Sequence, residues 1–163
     1  DPSTSGDPFV RAELVQVLAN ACGPMGMVGG QMMDIEGEGQ ALDLPAITRM
    51  QQLKTGALLS AAVEMGAVLG KVPAEGRTHL KGYARAIGLA FQIADDILDT
   101  EAPTEVTGKT TGRDQARRKA TFPAILGLSV AKERARELLR QRVVQCPHLR
   151  RRRDVRALLR LRW

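Results

Sequence analysis

Between Pro73 and Thr100 the apolar side chains Leu80, Tyr83, Ala84, Ile87, Phe91, Ala94 and Leu98 recur every three or four residues. That is the period of an α-helix, and a stripe this long predicts one long helix around which the rest of the chain packs. No window of useful length alternates with period two, so no strands are predicted. Elsewhere the pattern is also helical. Asp7-Pro8 opens a helix to about Cys22, with Asp7 as N-cap and Pro8 at the first helical position. Gly23-Pro24 ends it, and a second helix follows from about Gly26 to Glu36, before the loop Gly37-Glu38-Gly39. Within that second helix the Gly29-Gly30 pair permits another helix to come close. A third helix starts at Pro45, carries Ile47, Met50, Leu53, Leu58 and Ala61 at helical spacing, and runs to about Gly70. The stretch from Glu101 to Gly112 is a loop; helix resumes near Asp114 and again from Thr121, with Gly127 as a break before Ser129. The predicted fold class is all-α, a bundle of antiparallel helices.

Hydrophobic residues make up 44% of the chain and aromatics only 3%, so the core must be built from Ala, Leu, Val, Ile and Met. A length of 163 residues suits one domain with a real core. No apolar run approaches the roughly 20 residues needed to cross a bilayer, and the opening residues 1–8 do not resemble a signal peptide. Cys22 and Cys146 form no metal-type or redox-type spacing. The expected location is the cytoplasm. The chain begins without Met, in a turn-rich segment that leads straight into a helix, and we read it as part of a longer protein.

The net charge of +6 is unevenly spread. Residues 134–163 hold 11 Arg and 2 acidic residues, or +9; the remaining 13 Lys/Arg and 16 Asp/Glu leave residues 1–133 at −3. Every positive charge in the tail is Arg, with Arg150 to Arg153 in one run. Out-of-frame reading of GC-rich coding sequence gives that bias, and we rank it ahead of a solvated basic helix and of a nucleic-acid-binding arm. The expected division is therefore residues 1–142 as the folded part and 143–163 as an Arg-rich tail.

The most informative segment is Phe91-Gln92-Ile93-Ala94-Asp95-Asp96-Ile97-Leu98-Asp99. At about 100° per residue, Asp99 lies roughly 40° from Asp95 and 60° from Asp96 around the helix axis. Three carboxylates thus share one sector about 100° wide, with Gln92 one turn earlier on the same edge. A solvated acidic face is the ordinary explanation for such a string. Here the surrounding helix is apolar on nearly every side, and no Lys or Arg lies within four residues of the cluster. A divalent cation supplies the missing charge, and all-oxygen ligation with room for water suits Mg²⁺.

A site for metal-bound phosphate also needs fixed cations. Lys54 in Lys54-Thr55-Gly56-Ala57-Leu58 sits on an otherwise apolar segment, where a snorkelling lysine is an equal alternative. Lys109 lies in the Gly/Thr-rich loop after the acidic helix, and Lys119 follows ten residues later. Single loop lysines are usually just solvated. An acidic helix followed by a loop carrying lysines has the layout of a lid that closes over phosphate.

In order and spacing these segments resemble the trans-isoprenyl diphosphate synthases, most closely the bacterial farnesyl/geranylgeranyl type. The matching strings are Gly29-Gly30-Gln31-Met32-Met33-Asp34, Lys54-Thr55-Gly56-Ala57-Leu58, Gly88-Leu89-Ala90-Phe91-Gln92 with Asp95-Asp96-Ile97-Leu98-Asp99, Thr107-Gly108-Lys109, and Asp114 with Lys119-Ala120-Thr121-Phe122-Pro123. The resemblance implies an isoprenoid-synthase helical bundle of which residues 9–140 cover about the second half. It also implies that Asp95, Asp96 and Asp99 bind Mg²⁺ bridging to an allylic diphosphate, with Lys54, Lys109 and Lys119 contacting that diphosphate. Thr55 and Gln92 would lie beside the developing allylic cation, and Phe91 near the homoallylic substrate, isopentenyl diphosphate. The implied activity is 1′-4 head-to-tail prenyl transfer by a homodimer. The family's first aspartate-rich motif and its isopentenyl-diphosphate ligands would precede Asp1, so this chain alone is expected to be inactive. Arg118 stands where the family commonly has Gly, and the likeness fades past about Arg142. Two alternatives stay open: a non-catalytic helical subunit of a prenyl synthase, and a fragment of a class I terpene cyclase, for which the lysine strings fit less well.

Overall fold

A computed structural model of the chain describes residues 1–101 and 121–145. Helices account for the regular structure, and no strand occurs among the described residues. In chain order they are α1 (Pro8–Cys22), α2 (Met27–Glu36), α3 (Leu44–Gln51), a π-helical turn (Gln52–Gly56), α4 (Ala57–Leu69), α5 (Ala74–Glu101), α6 (Phe122–Leu126) and α7 (Leu128–Gln145). Local chemistry sets most of the boundaries. The Asp7 carboxylate accepts from the Phe9 N–H at 2.8 Å with Pro8 behind it, and Asp43 caps α3 in the same way through the Ala46 N–H. Each side chain satisfies one of the backbone donors that a helix start leaves without a partner. Gly127, at φ 81°, separates α6 from α7, a backbone state that glycine adopts without strain.

The end of α4 is less ordinary. The Lys71 N–H bonds to the Val68 carbonyl and the Val72 N–H to the Ala67 carbonyl, the paired bonds of a Schellman termination. The left-handed residue in that motif is usually glycine. Here it is Lys71, at φ 51°, while Gly70 precedes it with negative φ.

The long helix α5 is central, packing against α7, α4, α6 and the π-helical turn. Its buried residues Ala86, Ala90, Ile93 and Ile97 meet Ala131, Ala135 and Leu138 of α7, Phe122 of α6, and Ile47 and Met50 of α3. This is not the stripe predicted from the sequence. Of those seven residues only Ala84 and Ala94 are buried, while Phe91 and Leu98 are exposed. α5 is apolar on two faces, and α7 covers the Ile93–Ile97 face. The periodicity is that of a helix on either face, but the main buried cluster lies on the other one.

Two glycine positions bring helices into backbone contact. A Cβ on Gly30 of α2 would stand 2.2 Å from the Lys54 nitrogen, so α2 can lie directly on the π-helical turn only because that atom is missing. A Cβ on Gly88 would meet the Gly56 Cα at 3.3 Å, where α5 crosses the same turn. The expected close approach at Gly29-Gly30 therefore occurs, and its partner is the segment bearing Lys54 and Thr55.

Candidate active site

The third predicted helix is not regular: it widens at Gln52–Gly56 into a π-helical turn, the stretch that holds Lys54 and Thr55. Such turns redirect side chains from the path of the surrounding α-helix and recur at functional sites. Lys54 Nζ donates to Asp34 Oδ2 at 2.8 Å, with Lys54 34% exposed and Asp34 only 10%. The ammonium is thus held at the surface by a carboxylate largely withdrawn from solvent. Thr55 is half-buried beside it.

Along α5 the positions Gly88, Gln92, Asp95 and Asp99 follow one another at intervals of four, three and four residues, so they share one edge. Gly88 marks the crossing with the π-helical turn, and Asp95 lies two turns further on, roughly 10 Å along the axis. Gly88 thus packs on the turn that bears Lys54 and Thr55, and Gln92, Asp95 and Asp99 continue along the same edge of α5.

The three aspartates do not share one environment. Asp95 is exposed, Asp99 half-buried and Asp96 only 5% exposed. Helical geometry explains the split. At about 100° per residue Asp95 lies about 160° from both Ile93 and Ile97, opposite the core, whereas Asp96 lies only about 60° from Ile93. The Asp96 Oδ2 accepts from the Phe122 N–H at 3.0 Å and from Gln51 Nε2 at 3.3 Å, both inside the protein. Its inward direction departs from the single carboxylate face expected of the sequence. Among the described residues, no three His, Cys, Asp or Glu side chains gather closely enough to hold a metal by themselves.

Phe91, one turn before Asp95, is 58% exposed, and Leu98 on the same side of α5 is 39% exposed. Gln92 is half-buried. Lys109 and Lys119 lie outside the described residues. Sequence reasoning missed Gln51, a buried amide three residues before Lys54. Its one visible signal was a polar residue beside Met50 on the inward side of an amphipathic helix.

A profile of the family described as polyprenyl synthetase matches residues 8–160, nearly the whole chain. The chain belongs to the polyprenyl synthetase family. Farnesyl diphosphate synthase of Geobacillus stearothermophilus is 47% identical over 127 residues, covering 78% of this chain and 43% of that protein. The enzyme of the same name from Escherichia coli (strain K12) is 45% identical over 130 residues, covering 79% and 44%. Among solved structures, an apo FPP/GFPP synthase from Zymomonas mobilis superposes with a TM-score of 0.77 at 44% identity, over 90% of this chain and 48% of that one. A geranyltransferase from Helicobacter pylori, solved with magnesium and isoprenyl diphosphate, gives 0.79 at 31% identity, over 91% and 49%.

This polyprenyl synthetase chain thus spans less than half the length of each of these relatives. Its all-α fold is the one that the resemblance implied. The family match continues to residue 160, beyond the boundary placed at residue 142. Among the described residues no helix is long and apolar enough to cross a membrane.

Proposed function

We propose that the protein carrying this chain is a prenyltransferase that condenses an allylic diphosphate with isopentenyl diphosphate, and that these residues form its allylic-diphosphate side. The observation that carries this reading is the join, on one helix, of an outward acidic edge (Asp95, Asp99) to an uncovered apolar strip (Phe91, Leu98). A substrate with a diphosphate head and a hydrocarbon tail has that same division. Lys54, on the turn that α5 crosses at Gly88, supplies a cation.

Two outward carboxylates with all-oxygen donors fit a hydrated Mg²⁺, which keeps several waters and takes phosphate oxygens as its other ligands. Bound there, the ion would neutralise the diphosphate as it departs from the allylic carbon. Lys54, oriented by Asp34, holds a phosphate oxygen from the other side. Thr55 and Gln92 direct their polar atoms toward the carbocation left behind, while the Phe91 strip lies along the hydrocarbon tail and keeps water away from it. Lys109 and Lys119 contact the diphosphate in this scheme, isopentenyl diphosphate is held by residues outside this chain, and the active protein is a homodimer.

The test is isotope-labelled prenyl transfer by a full-length protein carrying this sequence. Asp95→Ala and Asp99→Ala should each lower kcat at least 100-fold, and calorimetry should show Mg²⁺-dependent pyrophosphate binding that Asp95→Ala abolishes. Normal turnover in both variants would overturn the proposal.

A further inference from the structure

We propose that Asp96 is a positioning residue: its carboxylate fastens the acidic helix to the segment that carries Lys54 and to the start of α6, instead of ligating metal. The inference rests on the assignment of Asp95 and Asp99 above and divides the labour within that triplet. Asp96 Oδ2 is the point where three distant parts of the chain meet. Gln51 Nε2 reaches it from 45 residues away and the Phe122 N–H from 26. Asp96 is only 5% exposed, and Ile93 and Ile97 on its own helix, Ile47 on the helix of Gln51 and Phe122 itself are all buried.

Gln51 shows which partner sets the arrangement. Its Oε1 is buried without a hydrogen-bond partner among the described residues. Turning the amide over would relieve nothing, because it would place that oxygen against the carboxylate and lose the one bond that Nε2 makes. The amide is oriented by Asp96 alone. Gln51 is the last residue of α3, next to the π-helical turn, so whatever fixes Gln51 fixes the approach to Lys54 and Thr55. On the other side, the Phe122 N–H is the first backbone donor of α6, while the Thr121 hydroxyl takes the Ala124 N–H. Asp96 is buried and its Oδ2 already accepts two donors inside the core, which makes the residue a poor ligand for a hydrated ion at the surface. It is well placed to keep Lys54 and Thr55 in register with Asp95 and Asp99.

The deciding experiment uses a full-length protein carrying this sequence, with two readouts. Calorimetric titration of inorganic pyrophosphate at stepped Mg²⁺ gives the Mg²⁺ concentration for half-maximal binding. Steady-state kinetics with an allylic diphosphate at saturating isopentenyl diphosphate gives kcat and KM well below the unfolding temperature. Asp95→Asn should raise the Mg²⁺ requirement tenfold or more. Asp96→Asn should leave it within twofold yet lower kcat at least tenfold; Gln51→Leu should do likewise, and the double variant should be no worse than the poorer single one. The inference is overturned if Asp96→Asn shifts the Mg²⁺ requirement as far as Asp95→Asn does. It is also overturned if the two kcat losses multiply, or if only the unfolding temperature falls while kcat holds. If Asp96→Asn fails to fold, Gln51→Leu leaves every carboxylate in place and decides by the same pair of readouts. A Mg²⁺ requirement unmoved by Asp95→Asn sinks the metal assignment alone, since the Gln51–Asp96 cycle judges the positioning role separately.

Discussion

A single methyl group added at Gly30 tests how the lysine-bearing turn is held. The new Cβ would stand 2.2 Å from the Lys54 nitrogen, 2.6 Å from its Cα and 2.8 Å from the Leu53 carbonyl carbon. All three are backbone atoms of a helical turn, so no side chain can swing aside. Restoring ordinary contact near 3.4 Å requires α2 and the turn to separate by about 1 Å, where 2.2 Å is the starting distance. Overpacking of this kind costs about 1–3 kcal/mol, and rigid surroundings favour the upper end. Alanine's better helix propensity returns about 1 kcal/mol, because Gly30 lies inside α2. The net loss is about 2 kcal/mol, which in a domain of about 150–250 residues lowers the unfolding temperature by about 4–8 °C. Gly66, inside α4, is the matched control: nothing lies within 4 Å of its added Cβ. Gly66→Ala should gain up to about 1 kcal/mol and raise the unfolding temperature by about 2–4 °C. Thermal unfolding followed by circular dichroism measures both. Gly30→Ala melting at or above the parent, or Gly66→Ala falling with it, would refute the close contact.

Other expectations concern the core, the end of α4 and the acidic edge. Ile97 is 1% exposed, so Ile97→Ala should cost about 2–5 kcal/mol in urea unfolding, and a loss below 1 kcal/mol would contradict its place in the core. Lys71→Gly should stabilise by about 1 kcal/mol, since it removes a left-handed non-glycine residue from a termination that favours glycine; a loss of stability would refute the assigned backbone. At the exposed edge, Asp95→Asn should leave urea unfolding within about 0.5 kcal/mol of the parent while Asp96→Asn lowers it by about 1–3 kcal/mol, because only Asp96 serves buried donors.

Much of the fold was legible because its signals are local. Asp7 before Pro8, the Gly23-Pro24 stop, Gly127 between α6 and α7, and Thr121 ahead of α6 act within a turn of themselves, and the helices begin and end where these residues place them. The π-helical turn at Gln52–Gly56 left no such mark. Its residues keep helical spacing on both sides, and one extra residue in a turn shows only when neighbouring helices fix the register.

The sequence by itself determined that α5 is a helix, that Asp95, Asp96 and Asp99 project from about a third of its circumference, and that Gly30 can accept a close neighbour. Those follow from 100° of rotation per residue and from the absence of a Cβ. Only the tertiary structure decided which of α5's two apolar faces is inside. Rotation fixes angles between side chains on one helix, but the zero of that angle is set by the partner, and α7 sets it at Ile93 and Ile97. Once that direction is fixed, adjacent carboxylates part company: Asp95 faces solvent, and Asp96 closes on Gln51 and Phe122.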